Sequence, residues 1–90
     1  MSAQGTATVD FGTGKTDVSV AVSAPAITGA QLVEAWVFPT ATATNTADDH
    51  WVEDLMVIAG NVQAGVGFTI YAKCENNLAH GQFTVGWVYN

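Results

Sequence analysis

Basic residues are nearly missing from this sequence: Lys15 and Lys73 are its only cations besides histidine, against eight Asp or Glu and a net charge of −6. A chain with two lysines has almost no source of counterion release on a phosphate backbone. An anionic membrane surface would repel it for the same reason. Neither nucleic acid nor membrane is therefore expected as a partner. The single cysteine, Cys74, excludes an intrachain disulfide, and no zinc-ligand spacing occurs. No apolar run approaches the ~20 residues of a membrane-spanning helix. The opening "MSAQGTATVDFG" lacks the basic and apolar regions of a signal peptide, so synthesis in the cytoplasm is expected.

Ninety residues imply one domain, spanning 1–90. A chain of this length buries only roughly 60–65% of the surface that its unfolded form exposes. Without a disulfide or a metal to staple it, burial against sister chains is the expected remedy. Low charge with 49% hydrophobic residues argues against disorder.

What the sequence does hold is alternation. Helix signals are scarce, while Thr, Val, Gly and Ala dominate and apolar residues recur at every second position. The run "TATVDF" sets Ala7, Val9 and Phe11 on one face. The glycines of "FGTGK" suit a tight turn with positive φ. "TDVSVAVS" points Val18, Val20 and Val22 inward, and "APAITGAQ" reads as a loop broken by Pro25 and Gly29. In "LVEAWVF", Glu34, Trp36 and Phe38 share one face and Val33, Ala35 and Val37 the other. Apolar bulk on both predicts a strand covered on two sides.

Pro39 ends that strand, and "TATATNTADDH" makes a polar connection. "WVEDLMVIA" follows, with a turn at "GNVQAG". Helix competes there, because Trp51, Leu55 and Ile58 fall at i, i+4 and i+7; the β-branched content of the second half favours strand. "VGFTIYAKC" places Val66, Phe68, Ile70, Ala72 and Cys74 inward. "ENNLAHG" is a loop, and "QFTVGWVYN" closes with Phe83, Val85, Trp87 and Tyr89 on one face. Six short strands with turn signals predict an all-β fold, a small antiparallel sandwich or barrel.

Charge gathers in one place, "TADDHWVED", Thr46 to Asp54. Asp48, Asp49 and Glu53 are oxygen ligands of the kind Ca²⁺ takes, but neither the EF-hand spacing nor HExxH is present. If the segment is extended, His50 and Asp54 point one way and Glu53 the other, splitting the cluster across the sheet. A general-acid pair would need a pocket that raises one carboxyl pKa. The plainer expectation is a solvated loop whose acids keep a strand end from pairing with neighbours. His80 reads as a surface residue in a turn, and Cys74 as a small buried hydrophobe rather than a reactive thiol. No G-x-S-x-G elbow occurs, and "GTGK" is not a P-loop. No enzyme activity, cofactor or metal is expected.

Three tryptophans, Trp36, Trp51 and Trp87, join Tyr71 and Tyr89. Exposed aromatics can stack on sugars; the alternative is core and subunit interface, where they supply area with a polar tip. The interface is favoured, with Trp36, Phe38 and Trp87 as its candidate residues.

"VIAGNVQAGVGFTIYAKCENNLAHGQFTVGWVYN", together with "ADDHWVE" and "GTATVDFG", resembles small structural proteins of tailed bacteriophages and prophages. A looser similarity, through "VGFT" and the closing "VGWV", is to H-type lectins. The lectin resemblance implies a six-stranded antiparallel sandwich, trimers, and N-acetylgalactosamine-type sugars bound at subunit junctions. No sugar-contacting residue can be matched.

The resulting expectation is a non-enzymatic virion protein, made in the host cytoplasm. It would form a homo-oligomer, with a trimer favoured, and contact other virion proteins on head or tail as decoration, cement or fibre attachment. The alternative is a carbohydrate-binding module that recognises a host glycan. Both readings rest on surfaces rather than on a catalytic centre.

Overall fold

The structure, a computed structural model, describes residues 2–75 and 78–90. Among these residues, six strands form two three-stranded antiparallel sheets. They are β1 (Ala3–Asp10), β2 (Asp17–Ser23), β3 (Val33–Val37), β4 (Leu55–Gln63), β5 (Gly67–Cys74) and β6 (Gln82–Tyr89), with one short helix, α1 (Ala47–Val52), before β4. One sheet runs β1-β6-β3 and the other β2-β5-β4. The expected all-β sandwich of six strands is the observed architecture.

Alternation decides which side chains meet between the sheets. Val9, Phe83 and Val85 come from the first sheet and Phe68, Ile70, Ala72 and Cys74 from the second; all are buried. Phe11, just past β1, is fully enclosed and meets Phe83 edge to face at 5.8 Å. Each such Val, Ile or Phe contributes about 1.5–3 kcal/mol on leaving water. Cys74 lies in this core as expected, with its thiol 3.5 Å from a carboxylate oxygen of Glu53.

The "FGTGK" turn has the anticipated positive φ at Gly12 and Gly14, 58° and 140°. It carries the chain from one sheet to the other, since β1 and β2 do not pair.

Three local expectations are corrected. The segment from Thr46 is helical before it is extended: α1 occupies Ala47–Val52, and only from Leu55 does the predicted strand begin. Thr46 caps the helix reciprocally with Asp49: the Asp49 N–H donates to the Thr46 hydroxyl (3.2 Å) and the Thr46 N–H to the Asp49 carboxylate (2.8 Å). The turn placed at "GNVQAG" comes later, because β4 continues through a bulge between Gly60 and Gln63, with Asn61 at φ 52°. Val66 therefore sits in the turn before β5 and is exposed instead of facing inward.

Candidate interaction surface

β6 is the central strand of its sheet, so every residue of it has neighbours on both sides. The register aligns Gly5, Trp87 and Ala35 in one row and Thr6, Gly86 and Trp36 in the next. Successive rows face opposite sides of the sheet. Trp87 accordingly points to the interior, stacked on Tyr89 at 6.0 Å and edge-on to Phe68 at 5.4 Å. Trp36 points outward and lies over Gly86; a Cβ on that glycine would stand 2.6 Å from the indole. Phe38 continues the outer row, tied to β6 by its N–H donating to the Thr84 carbonyl (3.0 Å).

The three candidate subunit-interface residues are thus divided between two faces. Trp36 and Phe38 share the outer surface, 41% and 44% exposed. Trp87 belongs to the core side, because its odd position on β6 follows the inward series Phe83, Val85, Tyr89. That parity was legible in the sequence. The predicted double coverage of β3 is half met within one chain: Ala35 is buried beneath the sheet, while the Glu34, Trp36 and Phe38 side stays open. Gln4 and Thr6 of β1 join Trp36 and Phe38 around a shallow groove of about 290 Å³.

The second sheet also has a bare side. Asp17, Lys73 and Met56 form one outer row and Ser19, Tyr71 and Ile58 the next. Met56, Ile58 and Tyr71 are 40–58% exposed, and their depression of about 800 Å³ runs along β5. Sequence periodicity over "WVEDLMVIA" did not isolate Met56 and Ile58 as an outward pair, since the helical alternative blurred its phase.

The acidic segment is ordered differently from the solvated loop anticipated. His50 is buried, 3% exposed, and joins α1 to β6. Its Nδ1 is 2.7 Å from the Thr46 carbonyl, and its Nε2 accepts the Thr84 N–H at 2.8 Å. A carbonyl can only accept, so Nδ1 carries the proton and the ring is the neutral tautomer. Thr46-x-x-Asp49, a capping pattern, was the signal that could have located this helix. Nothing in the sequence pointed to His50 as its anchor. Asp48 and Asp54 are exposed, and Asp49 is committed to the cap. Among the described residues, no three His, Cys, Asp or Glu side chains come together as a metal-binding group. His80 lies exposed in its turn, as expected.

The preceding "TATATNT" stretch is pinned in place as well. The Asn45 side-chain amide donates to the carbonyls of His80 (2.9 Å) and Gln82 (3.0 Å), the Thr42 hydroxyl donates to Gln82 O (2.8 Å), and the Thr44 hydroxyl accepts the Gln82 N–H (2.7 Å). These bonds fix the connection against the start of β6. Trp51 and Val52, on the far side of α1, are left 81% and 72% exposed.

Comparison of the chain with protein-family models, curated proteins and solved structures finds no match.

Proposed function

We propose that the chain is a non-enzymatic structural subunit that works through symmetric contacts, of the kind found on a bacteriophage head or tail. One observation carries this reading: the outer row Trp36–Phe38, two aromatic side chains more than two-fifths exposed on one face of a three-stranded sheet. Aromatic residues at the centre of a patch are the usual anchors of protein interfaces. A domain of ninety residues with thin burial gains most from covering such a patch with another copy. The virion assignment comes from the sequence resemblance, and the homotrimer from the lectin-like part of it.

Light scattering of the purified chain tests the assembly, with a defined oligomer expected and a smaller particle for Trp36→Ala. A wild-type monomer across the micromolar range overturns it. Immunogold labelling of particles tests the virion placement; absence of label from intact particles counts against it.

The groove favours one second reading. Trp36 stands beside Gln4 and Thr6, an aromatic plane next to amide and hydroxyl groups, which is the chemistry of a sugar platform. Saturable binding on a glycan array, lost in Trp36→Ala, would support a carbohydrate-binding module over the structural role.

A further inference from the structure

Two three-stranded sheets leave four edges, and two of them, β3 and β4, carry a device that discourages pairing with another chain. β3 is five residues long, holds Glu34 and is followed by Pro39. β4 is bulged between Gly60 and Gln63. β2 is charged only at its first residue, Asp17, and is as open as β1 from Val18 to Ser23, though one residue shorter. Short length, proline, bulges and charge are the means by which natural edges avoid association. β1 has none of these from Ala3 to Val9. It is eight residues long, and its sole charge is the terminal Asp10, whose carboxylate turns back to accept the Gly12 N–H at 2.8 Å.

The hydrogen-bond phase shows what this edge presents. The Phe11 N–H donates to the Gly81 carbonyl at 2.8 Å, in line with the β1–β6 register. Bonded and non-bonded pairs alternate along an antiparallel ladder. Val9, Ala7 and Gly5 therefore make the bonded pairs with Phe83, Val85 and Trp87. The Phe38 N–H to Thr84 O bond fixes the opposite parity of β6 for β3, which is consistent. Gln4, Thr6 and Thr8 consequently direct their N–H and C=O groups away from β6. Trp87 lies against Gly5 and fills the space its missing side chain leaves, which keeps the strand regular there.

We infer that the β1 edge is a self-association surface, pairing antiparallel with β1 of a second copy about a two-fold axis. The inference rests on the assembly reading above but uses the backbone edge of β1, whereas that reading uses the Trp36 and Phe38 side chains. The parity of the free groups places Thr6 opposite Thr6 and Gln4 opposite Thr8 of the other copy. Thr–Thr pairs are favourable cross-strand neighbours. Each Asp10 then falls opposite Ser2 at the far end, so the two acids are kept apart. The two sheets join into a continuous six-stranded one, with each Trp36 two strands from the seam on the same sheet.

The test is amide hydrogen exchange of the wild-type chain by NMR across a concentration series, with light scattering of Thr8→Pro alongside. Proline at position 8 removes an N–H that faces away from β6 and leaves the β1–β6 ladder intact, so the fold is retained by circular dichroism. Amides of Gln4, Thr6 and Thr8 are expected to slow by tenfold or more as concentration rises, and Thr8→Pro to halve the particle mass. Rapid exchange at these three amides within an assembled sample overturns the edge contact while leaving the Trp36-based assembly standing. A monomer at every concentration overturns both. Protection that appears only on adding an extended peptide shows a different occupant and also overturns the self-pairing.

Discussion

Trp36 and Gly86 stand directly opposite each other on β3 and β6, with the indole laid over the glycine so closely that a Cβ there would be 2.6 Å away. The aromatic face is held flat on the sheet because its cross-strand partner has no side chain. Gly86→Ala should force the indole off the sheet and cost about 1–2 kcal/mol through overpacking. In a Trp36→Ala background the same change should be nearly neutral, since the collision is gone. Urea denaturation of the four proteins of this double-mutant cycle gives the coupling, and an additive result would mean the ring does not lie over Gly86.

Trp87 presents the same arrangement on the opposite face, covering Gly5 and half-buried against Phe68 and Tyr89. Trp87→Ala should therefore cost about 3 kcal/mol as a core truncation. Trp36→Ala should cost far less stability and change particle mass instead. Denaturant midpoints and light scattering on the pair of variants check this separation, and reversed roles would show that the two faces have been exchanged.

His50 is expected as the neutral tautomer with its proton on Nδ1, as measured by imidazole ¹⁵N shifts. His50→Phe fills similar space but leaves the Thr84 N–H without its acceptor. An unpaired buried donor costs about 1–3 kcal/mol, so the variant should lose that much stability in a urea titration. A variant as stable as the parent would mean the Nε2 bond contributes nothing.

Asp49 and Asp48 are neighbours with different tasks. Asp49→Ala breaks the reciprocal cap with Thr46 and should lower stability by about 0.5–1 kcal/mol. Asp48→Ala should leave the midpoint where it is. Adding Ca²⁺ or a chelator should not move the melting temperature, since Asp49 is already engaged. A rise in melting temperature with Ca²⁺, absent in Asp48→Ala, would restore the metal hypothesis.

The runs with unbroken period two were legible residue by residue. "TDVSVAVS" and "FTIYAKC" became β2 and β5 with the anticipated faces, because alternation of side chains across a pleat is a local property. "TADDHWVED" was not. Its first turn is helical because a Thr–Asp cap satisfies the initial amides, and His50 secures it to a strand 34 residues away. Neither the bond to Thr84 nor the burial of His50 has a local signature.

Alternation and the scarcity of charge alone determined that this chain builds sheets and which side of most strands faces inward. Partners were a different matter. Only the tertiary structure decided that β6 lies between β1 and β3 while β5 lies between β2 and β4, that Trp36 and Trp87 look in opposite directions around two glycines, and that β1 is a sheet edge. The physical reason is that a strand's faces follow from its own residues, whereas its neighbours follow from packing energies summed over segments far apart in the chain.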